Sequence, residues 1–202
     1  SSAMGNVSKQ YVMGMGDATL AAEGLFDGSA LALDELMSAI LGADTKDIVS
    51  YRPVTEAAGS VMYGLQSDLT THDVTASTDD VATLDLEFQS SVGGERLLVH
   101  KAIGAVSSGG NTASLDNAAS SAFGGAAYLQ VTAVSGGGTL TVKVQHSADN
   151  AAWADLITFT GVTAIGAQRG SVTGTVNRYT RDTHAITAGS QTYTMAFGRK
   201  VQ

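Results

Sequence analysis

The stretch Thr139–Ser147, TLTVKVQHS, puts Leu140, Val142 and Val144 on one side of an extended chain and Thr141, Lys143 and Gln145 on the other. Successive side chains of a strand point to opposite faces, so this period of two predicts a strand with one buried face. The same alternation recurs in Gln191–Arg199, QTYTMAFGR, where Tyr193, Met195 and Phe197 interleave with Thr192, Thr194 and Ala196. Working outward from Thr139, strands are expected at 127–134, 139–146, 156–159, 168–172, 177–181 and 191–199. Strands this regular, with no helical period among them, predict an all-β sandwich over 126–202. Gly136-Gly137-Gly138 reads as a hairpin connection within it; no Lys-Ser/Thr follows, so it is not a phosphate loop.

Toward the amino end the pattern changes. Asp17–Gly28, DATLAAEGLFDG, sets Ala18, Leu20 and Ala22 against Asp17, Thr19 and Glu23, a half-buried strand. Asp27-Gly28-Ser29 then offers a turn and an N-cap. Leu33, Leu36, Met37, Ile40 and Leu41 follow the helical i, i+3, i+4, i+7, i+8 spacing up to a stop at Gly42, which predicts one helix over about 29–41. Short strands are expected at 48–52, 61–69, 73–77, 81–90 and 95–103. The clearest is VATLDLEFQ, Val81–Gln89, with Leu84, Leu86 and Phe88 inward and Asp85, Glu87 and Gln89 outward. Gly93-Gly94 signals a hairpin into the strand that follows. The links are too short for βαβ crossovers, so this half is expected to be an antiparallel β domain, 1–104, with one flanking helix. Gly, Ser, Asn and Ala dominate 105–125, which reads as a linker.

Composition agrees with a β-rich chain. Of 202 residues 44% are apolar, enough for a packed core, yet only 6% are aromatic and Gly reaches 24. There is no cysteine, so disulfides and thiolate metal sites are excluded. No run of about 18 apolar residues exists to make a bilayer helix, and no membrane association is expected. The net charge is −8, and the basic residues are scattered, which argues against a phosphate-binding stripe. An acidic surface keeps a protein soluble; it also lets nucleic acid pass without adhering.

Chemistry leaves little trace. His72, His100, His146 and His184 form no HxH, HxxH or HExxH unit, so neither a metal nor any other cofactor is expected. His146 continues the inward register of its strand. No serine sits in a G-x-S-x-G elbow. Asp79-Asp80, Asp85 and Glu87 could be read as paired carboxylates for glycoside hydrolysis, but the first two belong to a turn and the others to the outward face of a strand. An enzyme is not expected. Trp153, after the polar turn Asp149-Asn150, is read either as a plug of the sandwich or, with Arg178, as a platform for a glycan.

Two segments carry a resemblance. Ser8–Gly28, SKQYVMGMGDATLAAEGLFDG, together with Asp73–Ala102, DVTASTDDVATLDLEFQSSVGGERLLVHKA, resembles the major tail protein, the tail tube subunit, of long-tailed siphophages. The stretch from Ala126 to Arg181 resembles the C-terminal half of some of its members and is similar to galactose-binding-like sandwiches, through Ser147, Asp149, Trp153 and Arg178-Tyr179-Thr180-Arg181. Members usually carry an arm and first strands ahead of the segment that matches Ser1, so the amino end is expected to be trimmed or the fold completed differently.

The resemblance implies a structural virion protein. Hexameric rings would stack into a tube, each copy giving strands to a continuous inner barrel, with other phage tail proteins as partners and viral DNA passing through without specific binding. It places Asp17, Glu23, Asp85 and Glu87 as candidates for the lumen and Ser8, Lys9 and Tyr11 in a subunit-contact loop. The alternative is a carbohydrate-binding or decoration module on a phage particle, working through Trp153 and Arg178.

Overall fold

The structure is a computed structural model that describes residues 18–26, 37–38, 41, 46–53, 57–76, 82–90 and 93–200. The chain is mainly β and antiparallel. In chain order its strands are β1 (Ala18–Leu25), β2 (Asp47–Tyr51), β3 (Val61–Thr75), β4 (Thr83–Ser90), β5 (Glu95–Val106), β6 (Gly110–Asn111), β7 (Leu115–Asp116), β8 (Gly125–Ser135), β9 (Leu140–Ser147), β10 (Ala154–Thr158), β11 (Gly166–Val172), β12 (Tyr179–Ile186) and β13 (Ser190–Arg199). Two compact units form: Ser1–Lys46 with Ser67–Gly94, and Asp47–Gln66 with Glu95–Gln202.

Within the first unit, β4 is the middle strand of the order β1-β4-β3. Leu84, Leu86 and Phe88 are all at most 6% exposed, and Leu69 of β3 is buried with them. The alternation in VATLDLEFQ therefore gives the face it predicts. The segments expected at 61–69 and 73–77 are one strand, β3, with an irregularity between Leu69 and Thr71. Of the helix expected over about 29–41, Met37 and Ser38 have helical backbone, and the Leu41 N–H donates to the Met37 carbonyl at 3.1 Å. Leu41 lies in a turn, so no flanking helix is seen among the described residues, and 29–36 and 39–40 lie outside them.

The second unit is a sandwich of two sheets. One runs β3-β5-β13-β8-β11, with β2 beside β3, and the other runs β10-β9-β12-β6, with β7 also on β12. Leu140, Val142 and Val144 of β9 are fully buried against Tyr193, Met195 and Phe197 of β13, so the two stretches with the clearest alternation meet in one core. Burying side chains of this size contributes about 1.5–3 kcal/mol each. Ala196 and Thr194 of β13 are buried as well, because the other face of that sheet carries a second cluster of Met62, Leu97, Val99, Ala126 and Tyr128, against which Ile48 packs. The sheet curls back on itself there: a Cβ at Gly64 of β3 would stand 2.7 Å from the Tyr128 ring of β8, three strands away in the order. Glycine is required by that approach.

The compact units divide the chain differently from the expected 1–104, 105–125 and 126–202. The ladder from Leu98↔Phe197 to Val106↔Gln191 draws β5 into the second unit. Inside the expected linker, β6 and β7 pair with β12. Backbone pairing needs no apolar side chain, and for that reason a Gly/Ser/Ala composition conceals it.

Two expected hairpins are absent. β8 and β9 flank Gly136–Gly138 but belong to opposite sheets, so the glycines carry the chain across the sandwich, with Gly138 at φ +94°. A Cβ there would lie 2.3 Å from the Ala188 carbonyl oxygen. Likewise, among the described residues, β4 and β5 on either side of Gly93-Gly94 share no ladder.

Candidate functional site

The outward face of the first unit concentrates acid. Residues directly opposite in a ladder share a face. Glu23 of β1 is opposite Asp85 of β4, and Asp85 is in turn opposite Asp73 of β3. Three carboxylates thus stand abreast across three strands. One step along, Glu87 lies between Ala21 and Thr71, and beyond it Gln89 lies between Thr19 and Asp68. The ammonium of Lys46 pairs with Asp68. Like charges directly opposite are destabilising in a sheet, so folding alone gives no reason for this row.

Of the lumen candidates, the structure brings Glu23, Asp85 and Glu87 onto this one face; Asp17 lies outside the described residues. Asp73, two strands from Glu23, was not among them. Its signal was the continuation of β3 through the Leu69–Thr71 irregularity, which shifts the alternation by one residue and hides the face of Asp73. Ser8, Lys9, Tyr11 and the pair Asp79-Asp80 also lie outside the described residues. Among the described residues, no group of three or more His, Asp or Glu is arranged to hold a metal ion, and no helix is long and apolar enough to cross a membrane.

Trp153 and Arg178 are each engaged elsewhere. Arg178 grips Asp116 with both ends of its fork, Nε to Oδ1 at 2.7 Å and Nη2 to Oδ2 at 2.6 Å, and lies 4.9 Å from the centre of the Tyr179 ring. Those hydrogen bonds hold the exposed Asp116 carboxyl at about 2. Trp153 is not a plug: it is half-buried and belongs to neither core cluster. The Arg181 guanidinium lies over its ring at 4.1 Å from the centre, and the same guanidinium donates to Gln145 Oε1 at 2.8 and 3.0 Å. The turn before it is locked by Asp149, which accepts from the Ala152 and Ala151 N–H groups at 2.9 Å each and from the Ser147 hydroxyl. The two backbone donors, with the hydroxyl, hold its carboxyl at about 2. Ser147 and Asp149 are thus parts of a turn.

Most polar groups buried in the second unit pair with one another, although Asp182 Oδ2 and Gln191 Oε1 have no hydrogen-bond partner among the described residues. Asp182, fully buried, accepts from the Tyr193 hydroxyl at 2.9 Å and meets His184 Nδ1 at 2.9 Å. His100 bonds the Leu98 carbonyl at 2.9 Å and the Thr180 hydroxyl at 2.8 Å, and burial depresses its pKa. His146 accepts from the Asn177 N–H at 3.1 Å, on the inner side of β9. Glu95 receives Arg169 in a bidentate pair at 2.6 and 2.8 Å and the Tyr128 hydroxyl at 2.8 Å. Burial pushes its carboxyl up, but these hydrogen bonds outweigh that and leave it below the usual range.

No protein-family model, curated protein or solved structure matches this chain.

Proposed function

We propose that this chain is the tail tube subunit of a long-tailed bacteriophage, a structural virion protein whose copies close into rings and stack into a conduit for the genome. The observation that carries the reading is the acidic row Glu23–Asp85–Asp73 on a sheet in which, among the described residues, β1 ends the order β1-β4-β3 and β3 pairs with β4 from Asp68 to Thr75. An open strand margin presents unpaired N–H and C=O groups, and joining β1 of one copy to β3 of the next satisfies both margins at once. Repeated around an axis, that contact is head-to-tail and closes a ring. With the carboxylates turned to the inside, the wall repels phosphate, so DNA slides instead of binding. The reading assigns the chain no covalent chemistry and no cofactor.

Because the chain has no cysteine, one engineered pair tests the margin contact. Ala21→Cys and Thr71→Cys flank Glu87 in one row, about 10 Å apart within a molecule, too far for an internal disulfide. Oxidation is expected to give a ladder of covalent multimers that ends at the ring. A product that stays monomeric at every concentration contradicts the contact. The alternative, a decoration module holding a glycan on Trp153 and Arg178, loses support from those two residues, since Arg178 is forked onto Asp116 and Arg181 covers a face of Trp153.

A further inference from the structure

In the second unit, the loop 117–123 and the end of β13 enclose a concavity of about 460 Å³, within the size range of small-molecule sites. Its charge is anomalous. The chain has 19 acidic and 11 basic residues, yet Arg96, Arg199 and Lys200 line this concavity and, among the described residues, no Asp or Glu does. Arg199 is committed to the wall: its guanidinium donates to the Ala119 carbonyl and, at 3.0 Å, to the Asn117 carbonyl. Arg96 and Lys200 make no ion pair among the described residues. Glu95, whose carboxylate feels Lys200, is already held by the Arg169 fork.

The wall is built before any ligand arrives. Ser121 exchanges backbone hydrogen bonds with Val176 at 2.8 and 2.9 Å. Gly124, at φ +70°, lies so close to the Val172 carbonyl that a Cβ would stand 2.0 Å from its oxygen. This anchored loop holds Phe123 with 47% of its surface exposed, while Phe197 underlies the concavity at 2%. Ser120 and Ser121 also line it.

We propose that this concavity binds an acidic sugar residue, a uronate within a polysaccharide. Two exposed cations with no ion pair among the described residues suit a carboxylate, an exposed aromatic ring suits the apolar face of a sugar ring, and serine hydroxyls suit sugar hydroxyls. A peptide fits less well. Arg199 is laddered to Gly125, Phe197 to Leu98 and Arg96 to Tyr63, so the bordering strands offer an extended chain no free edge. The site does not depend on the tube reading, and ring formation is measured separately from it.

The test is calorimetric titration of the full chain with tetragalacturonate, a neutral tetrasaccharide and a tetraglutamate peptide. Tetragalacturonate is expected to bind, with affinity falling as salt rises, and the neutral sugar not to bind. Arg96→Gln, Lys200→Gln and Phe123→Ala, all at exposed positions, should each weaken binding by about tenfold at unchanged melting temperature, while Trp153→Ala should leave it intact. Four results would overturn the proposal: no binding of tetragalacturonate at millimolar concentration, equal binding of the neutral sugar, tighter binding of the peptide, or loss with Trp153→Ala but not with the three groove variants.

Discussion

Glu23 on β1 and Asp85 on β4 face each other directly across an antiparallel ladder, two like charges where a sheet ordinarily places complementary ones. Relieving that contact should stabilise the isolated fold. Asp85→Asn is expected to raise unfolding stability by about 0.5 kcal/mol, and Glu23→Gln by a similar amount, in denaturant titrations at low salt. Adding salt should shrink both gains.

If the row lines a conduit, its charge matters to passage more than to assembly. Replacing Asp85 and Glu87 together by Lys should leave tubes intact and impair genome delivery, read as infectivity of particles carrying the variant. Infectivity equal to the parent would remove these residues from the lumen.

Arg169 and Glu95 anchor β11 to β5 with side chains only 17% and 18% exposed. Arg169→Met leaves the Glu95 carboxylate half-buried beside Tyr128 without its fork. The expected cost is about 3 kcal/mol, the lower end of what breaking a buried pair costs, measured by denaturant unfolding. The loss should shrink as pH falls, because without the fork burial pushes the Glu95 carboxyl up and favours its neutral form.

His100 sets a pH dependence of its own. Its pKa is lowered by burial, so the unfolded chain binds its proton more readily than the folded one. The stability it supports is present above the unfolded value, about 6.5, and is lost as pH falls below it toward the folded value. Unfolding stability should therefore decline on acidification below about pH 6.5, before the carboxylates titrate. The decline should flatten in His100→Gln. Asp116 and Asp149, both held at about 2, act in the same direction only between pH 4 and 2.

How far the sequence could be read differs by element. β4, β9 and the inward side of β13 were legible because one face of each is apolar and the other polar, and a period of two reports that directly. The burial of Ala196 and Thr194 was not, since a strand covered on both faces loses its alternation and the covering cluster comes from Met62 and Leu97, far away in sequence. Pairing partners were also hidden. Gly93-Gly94 and Gly136–Gly138 have the composition of hairpin turns, but composition does not say whether the flanking strands pair with each other or with strands from elsewhere. In the acidic face, Glu23, Asp85 and Glu87 could be read from alternation. That Glu23 and Asp85 stand side by side with Asp73 depends on register, which is set by long-range pairing.

The most direct measurement is electron microscopy of the concentrated full chain. A tail tube subunit is expected to give rings of uniform diameter that stack into hollow tubes. A population that remains monodisperse and monomeric at every concentration, with no ring in any field, would contradict that expectation.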